Sequence, residues 1–236
     1  MIWKKLSEEL KSIPHLQLPG MAPLSAINNE MSAAVDQFEL INLNLEVRNE
    51  AGKIRPWHGR GLIDYLPDSR RLYEYLALRP EWIKRDSWGD VIVSETELAA
   101  LMPETMKFVR SLVEHPRVTR LLRIPPGAIL PWHSHCQSKF IGHQEYRKMV
   151  VQIPLKTNDR VLYRVREVGA NENDSDDLAY HAGEIRIFNS WHEHQVQNDG
   201  DQERISLYIE APLTDSLFQK WVEEALKHYR DKEHGA

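Results

Sequence analysis

The stretch "EIRIFNSWHEHQVQNDGDQERISLYIEA", residues 184–211, divides into three short segments, "EIRIF", "HEHQVQN" and "ERISLYIEA", separated by turn residues. Apolar side chains recur at every second position in the first and last of these, which is the period of a strand with one face buried. The same texture extends upstream through "VTRLLRI" (118–124), "GAILPWHSH" (127–135), "YRKMVVQIPLK" (146–156) and "RVLYRVREV" (160–168). Seven short strands between residues 118 and 211 imply a sandwich or barrel. The intervening "GANENDSDDLAY" (169–180) is acidic and rich in turn formers, so it is expected to be an exposed loop.

The first half reads differently. Trp3, Leu6, Leu10 and Ile13 recur at helical spacing up to Pro14, and a second helix is expected over Ser25–Gln37. "NLNLEVRN" and "GRGLIDYL" alternate as strands do, whereas "SRRLYEYLAL" and "SETELAALMPETMKFVRSLVEH" read as helices. The latter opens with a capping box from Ser94 to Glu97 and is divided by Pro103. At the other end Phe218, Trp221, Val222, Ala225, Leu226 and Tyr229 form one apolar stripe of a helix that packs outside the sheets. The expected fold class is therefore α+β with a mainly β core. We expect one domain over 1–236, in which a helical and irregular part, 1–117, supports a barrel at 118–211 and a helix closes the chain at 212–236.

Composition narrows the chemistry. With 42% hydrophobic and 28% charged residues and a formal charge of -5, the 236-residue chain can bury a full core and has no basic excess to attract nucleic acid. One cysteine, Cys136, excludes an intramolecular disulfide and any multi-cysteine metal cluster, which suits a reducing compartment. "MIWKKLSEEL" has no signal-peptide core and no window is apolar enough to span a bilayer, so the expected location is cytoplasmic, away from membranes. No feature fixes an oligomeric state.

Histidine placement points to a metal. His133 and His135 are two apart in a strand and so share a face; His192 and His194 do the same on another strand. Imidazoles from separate strands can converge on zinc, iron, copper or nickel. His192 would lie about 7 Å along its strand from His194 at roughly 3.3 Å per residue, and is expected to contact substrate or pack. The remaining seven histidines are scattered.

The pattern Gly127-x5-His133-x-His135 with a later His194-x3-Asn198 resembles the two motifs of the cupin superfamily, without the glutamate usual after the second histidine. Residues 184–211 more closely resemble the end of the aspartyl/asparaginyl β-hydroxylase family, and "VVQIPL" resembles the strand after the first iron ligand in those enzymes. That resemblance implies a double-stranded β-helix (a cupin-like jelly roll) and an oxygenase dependent on iron(II) and 2-oxoglutarate. Such an enzyme hydroxylates an amino acid, or an aspartyl, asparaginyl or prolyl residue of a peptide, using molecular oxygen. It further implies that His194 is the distal iron ligand, that Arg204, ten residues on, pairs with the distal carboxylate of 2-oxoglutarate, and that Ser206 completes an Arg-x-Ser pattern. His133 is the favoured first ligand. His135 stands where most such enzymes have a carboxylate: either it completes a three-histidine face, or water fills that position as in family members lacking the carboxylate, or His135 is itself the principal ligand. A second basic anchor for 2-oxoglutarate is expected at Arg147 or Lys148, with Arg120 and Arg123 as further candidates. Trp132 could pack at the barrel mouth or touch substrate. Trp57, Arg60, Arg85 and Trp88 are candidate substrate contacts. The alternative is a cupin metalloenzyme, a dioxygenase or isomerase, that uses His133, His135 and His194 without 2-oxoglutarate; it gives Arg204 and Ser206 no role.

Arg204 can serve His194 only if the two side chains share a face, which hairpin register decides. A three-residue loop at Asn198-Asp199-Gly200, with Gly200 left-handed, would make a hairpin with His194 opposite Arg204; a two-residue loop at Asp199-Gly200 would turn Arg204 away. The function therefore predicts the longer loop, with Arg204, Ser206 and Tyr208 inside and Ile205, Leu207 and Ile209 on an outer face for helices to cover.

Overall fold

The computed structural model describes residues 2–35, 41–42, 58–64, 92–134 and 148–234. All seven expected strands form: β5 (Thr119–Ile124), β6 (Ile129–His133), β7 (Lys148–Lys156), β8 (Val161–Arg166), β10 (Glu184–Phe188), β11 (Glu193–Asn198) and β12 (Arg204–Pro212). The acidic segment is not merely a loop. It contains β9 (Asp176–Leu178), antiparallel to β8. A strand at a sheet edge needs apolar residues on one face only, and Leu178 and Tyr180 supply it while Asp176 and Asp177 stay exposed.

Two antiparallel sheets result. The larger has the order β1-β10-β7-β12-β5-β3-β2, with β4 on β3, and draws β1 (His15–Met21), β2 (Ile41–Asn42), β3 (His58–Asp64) and β4 (Ser94–Glu95) from the first hundred residues. The smaller has the order β6-β11-β8-β9. From β5 to β12 the chain crosses from one sheet to the other at every connection but β8 to β9, giving the double-stranded β-helix, or jelly roll. Pro154 sits within the central strand β7 beside a register shift against β12, where a missing N–H is tolerated.

Each face of the larger sheet has its own partner. Outward, Ile205, Leu207, Ile209, Val151, Ile153 and Ile187 join one core with side chains from helices α1 (Ile2–Leu10), α2 (Leu24–Val35), α3 (Glu97–Leu101), α4 (Pro103–Leu112) and α5 (Ser216–His234). The α5 stripe behaves as its spacing predicts: Phe218, Val222, Ala225 and Leu226 are buried, and Trp221 and Tyr229 flank them. Asp215 caps this helix, its Oδ1 accepting from the backbone N–H groups of Leu217 (3.1 Å) and Phe218 (2.9 Å). Pro103 divides the preceding helical region and opens α4. The capping box does not form, because Ser94 pairs with β3 in β4 and Thr96 caps α3 instead, its hydroxyl accepting from Leu98 N–H at 3.2 Å. "SRRLYEYLAL", and all of "NLNLEVRN" after Asn42, lie outside the described residues.

The predicted β11–β12 hairpin is absent: β11 lies between β6 and β8, and β12 between β5 and β7, so residues 199–203 carry the chain between sheets. Nor is Gly200 left-handed. What it supplies is room, since a Cβ there would lie 2.2 Å from the Asn158 Oδ1. The corner is organised by Asn198, fully buried. Its Nδ2 donates to the carbonyls of Ile124 (3.0 Å) and Gln202 (2.8 Å), and its Oδ1 accepts from Gly200 N–H (3.1 Å) and Asn158 Nδ2 (3.2 Å). Its backbone carbonyl accepts from Gly127 N–H at 2.6 Å, in the β5–β6 crossover, where Gly127 has φ 68°. Two crossovers are thus joined by one side chain.

Truncating that side chain leaves buried carbonyl and N–H partners unsatisfied. Asn198→Ala is expected to cost about 2–4 kcal/mol, read as a lower urea unfolding midpoint; an unchanged midpoint would show that the corner holds without it.

Candidate active site

His133, the last residue of β6, lies directly opposite His194 on β11, and their rings are 4.0 Å apart between centroids. His194 is 3% exposed and meets the edge of Phe188 from the larger sheet, with centroids 4.5 Å apart. Each ring has its Nδ1 within reach of a carbonyl two residues back: His133 at 2.8 Å from Pro131 O, His194 at 3.1 Å from His192 O. A carbonyl only accepts, so these two contacts favour the proton on Nδ1 of each ring, the tautomer in which Nε2 can ligate a metal. Desolvation by burial lowers the His133 pKa, favouring the neutral form that a metal requires.

Arg204 enters the same interior from the opposite sheet. It opens β12, is 2% exposed, and shares the inward face with Ser206 and Tyr208, as the longer-loop register predicts, although it lies on the opposite sheet from His194 and not across a hairpin from it. Its Nη1 donates to Ser206 Oγ (3.3 Å) and its Nη2 to Gln152 Oε1 (3.1 Å), while its buried Nε has no hydrogen-bond partner among the described residues. These contacts are all neutral, and no described carboxylate forms an ion pair with it. Burial lowers its pKa, yet a guanidinium stays charged at any ordinary pH. The interior therefore holds one enclosed cation whose counter-charge is not supplied by the described chain, a costly arrangement unless an anion binds there.

Other candidates resolve differently. Arg120 faces inward but is held by Asp64, with its Nε and Nη2 each 2.8 Å from a carboxylate oxygen. Arg123 pairs with Glu203 and Lys148 with Glu210. Arg60 lies in register with Leu121 on the outer face and donates to Glu97, so it does not line the interior. His192 packs, its Nε2 2.9 Å from Lys11 O. Trp132 alternates with His133, so it lies on the outer face of the smaller sheet beneath the Arg166 guanidinium, 4.1 Å away. His135, Arg147, Trp57, Arg85 and Trp88 lie outside the described residues. Sequence reasoning passed over Gln152, Tyr163 and Tyr180, all of them buried near Arg204. The available signal was a lone polar side chain in "VVQIPL" and a tyrosine at an inward position of "VLYRV".

Among the described residues no group of three His, Cys, Asp or Glu converges, so the donors that they bring together for a metal to use are the two imidazoles of His133 and His194. That donor type suits iron(II), and the Arg204–Ser206–Gln152 group suits a carboxylate. A comparison with curated proteins finds no matching sequence. Among solved structures, the chain is similar to a 2OG-Fe(II) oxygenase-family oxidoreductase from Burkholderia pseudomallei, at 14% identity over 89% of this chain and 90% of that one, with a TM-score of 0.50. It is also similar to the non-heme alpha-ketoglutarate-dependent carbocyclase SnoK of nogalamycin biosynthesis, at 10% identity over 89% and 83%, with a TM-score of 0.52. At such identities the likeness concerns the fold. The family model for aspartyl/asparaginyl beta-hydroxylase matches residues 22–212, most of the chain. With that match, the chain belongs to the aspartyl/asparaginyl β-hydroxylase family and is an oxygenase of the iron(II)- and 2-oxoglutarate-dependent class.

Proposed function

We propose that this oxygenase binds iron(II) through Nε2 of His133 and His194, with His135 the candidate for a third position, and anchors the distal carboxylate of 2-oxoglutarate on Arg204 and Ser206. It hydroxylates a small amino acid, or an aspartyl, asparaginyl or prolyl residue of a peptide. The observation that carries the reading is the enclosed Arg204 guanidinium, paired only with neutral groups and aimed from the larger sheet into the interior that His133 and His194 enter from the smaller one.

When bound, iron(II) with 2-oxoglutarate supplies the oxidising chemistry, coupling oxygen use and decarboxylation to succinate with hydroxylation. The chain's own residues position and exclude. The carbonyls of Pro131 and His192 fix the imidazole tautomers, leaving Nε2 as the ligating atom. Arg204 offers a charged fork, held by Gln152 on one nitrogen, and Ser206 accepts from another, which frees its own O–H to donate to a carboxylate. The apolar lining from Phe188, Val165 and Val196 keeps water away and strengthens these contacts. The three-histidine cupin alternative leaves the enclosed guanidinium without a purpose. No described helix is long and apolar enough to cross a membrane, and the single cysteine supports a cytoplasmic location.

Titrating 2-oxoglutarate into anaerobic, iron(II)-loaded protein is expected to produce a weak visible charge-transfer band. Arg204→Ala should weaken that titration at least about 100-fold, since it removes a charge-assisted pair in a dry site. A band that titrates identically in wild type and Arg204→Ala would exclude the anchor. His194→Ala should abolish the band and oxygen-dependent succinate formation together. Chelating the metal from the wild type should do the same, with succinate formation returning on iron(II) addition; persistence after chelation would rule out the iron-dependent reading.

A further inference from the structure

Opposite Arg204, the smaller sheet places two phenols. Tyr163 lies on the inward face of β8, in register with Val196, and Tyr180 follows β9; their rings are 4.8 Å apart. Tyr163 is 1% exposed and Tyr180 7%, and neither hydroxyl has a hydrogen-bond partner among the described residues. The Arg204 Cζ lies 5.7 Å from the Tyr163 ring centroid, and Tyr180 packs against that same ring. Arg186, which pairs with Glu184, lies over the Tyr180 ring, 4.9 Å from its centroid. Burial raises both tyrosine pKa values, so the hydroxyls stay protonated and act as donors.

A buried polar group without a partner is uncommon in folded proteins and destabilising. Here three occur in one chamber, namely Arg204 Nε and the two tyrosine hydroxyls, and all three have a hydrogen to give. Side-chain acceptors are already engaged, since Gln152 Oε1 and Ser206 Oγ both accept from Arg204. What the group lacks is an acceptor with several lone pairs and a negative charge, and a carboxylate has both.

We propose that Tyr163 and Tyr180 donate hydrogen bonds to the carboxylate held by Arg204, and so select a dicarboxylic 2-oxo acid over a monocarboxylic one. This rests on the reading of Arg204 as the 2-oxoglutarate anchor and adds the residues that set co-substrate choice. It carries an unusual signature: because the hydroxyls are unsatisfied before the ligand binds, removing them weakens binding without weakening the fold.

The test is calorimetric titration of 2-oxoglutarate, and separately of 2-oxobutanoate, into manganese(II)-loaded wild type, Tyr163→Phe, Tyr180→Phe and the double variant, with urea unfolding of each ligand-free protein. Each single variant is expected to bind 2-oxoglutarate about 10-fold more weakly and the double variant about 100-fold more weakly, following the usual strength of a hydrogen bond to a charged group. Binding of 2-oxobutanoate, which has no distal carboxylate, should not change, and ligand-free stability should be equal or higher. Variants that bind 2-oxoglutarate as wild type does, or that lose ligand-free stability, would overturn the proposal while leaving the Arg204 reading intact. Wild-type protein that binds manganese(II) but no 2-oxoglutarate would overturn both.

Discussion

Asn198 joins two places where the chain passes from one sheet to the other, and the shared interior depends on that junction. Its amide reaches the end of β5 through Ile124 O and the start of β12 through Gln202 O, and its backbone carbonyl receives the Gly127 N–H at the entrance to β6. His194 precedes this corner by four residues and Arg204 follows it by six. One strand belongs to the smaller sheet and the other to the larger, so both side chains point into the space between sheets although they are not cross-strand neighbours.

That space is built around an electrostatic imbalance. Elsewhere on the inward face of the larger sheet, charge is matched: Arg120 with Asp64, Lys148 with Glu210, Arg186 with Glu184. Arg204 alone among these cations has only neutral contacts. A fold tolerates an enclosed charge of this kind when a ligand completes it. On this account the two histidines and the guanidinium form one site, with the metal end held by fixed imidazoles and the far end left for an anion.

Much of this was legible in the sequence, for a physical reason. Strands with one face apolar alternate, as "EIRIF" and "ERISLYIEA" do, and the other segments between residues 118 and 211 are short apolar runs bounded by turn residues. The inward orientation of Arg204, Ser206 and Tyr208 was also legible, although their placement opposite His194 in a hairpin was not borne out: turn chemistry at Asn198-Asp199-Gly200 resembles a hairpin, and only sheet pairing decides whether the strands on either side stay together. β9 was hidden because Asp176 and Asp177 look like loop composition when just one residue of the strand is buried. Tyr163, Tyr180 and Gln152 were hidden for the opposite reason. Each sits where a core side chain is expected, and only the partners around its polar tip separate packing from recognition.

The most direct measurement is a crystal structure of the protein with manganese(II) and 2-oxoglutarate bound in the absence of oxygen. The account predicts the metal on Nε2 of His133 and of His194, and the distal carboxylate within hydrogen-bond distance of Arg204 Nε. A metal held elsewhere, or a 2-oxoglutarate whose distal carboxylate leaves Arg204 with neutral contacts alone, would contradict it.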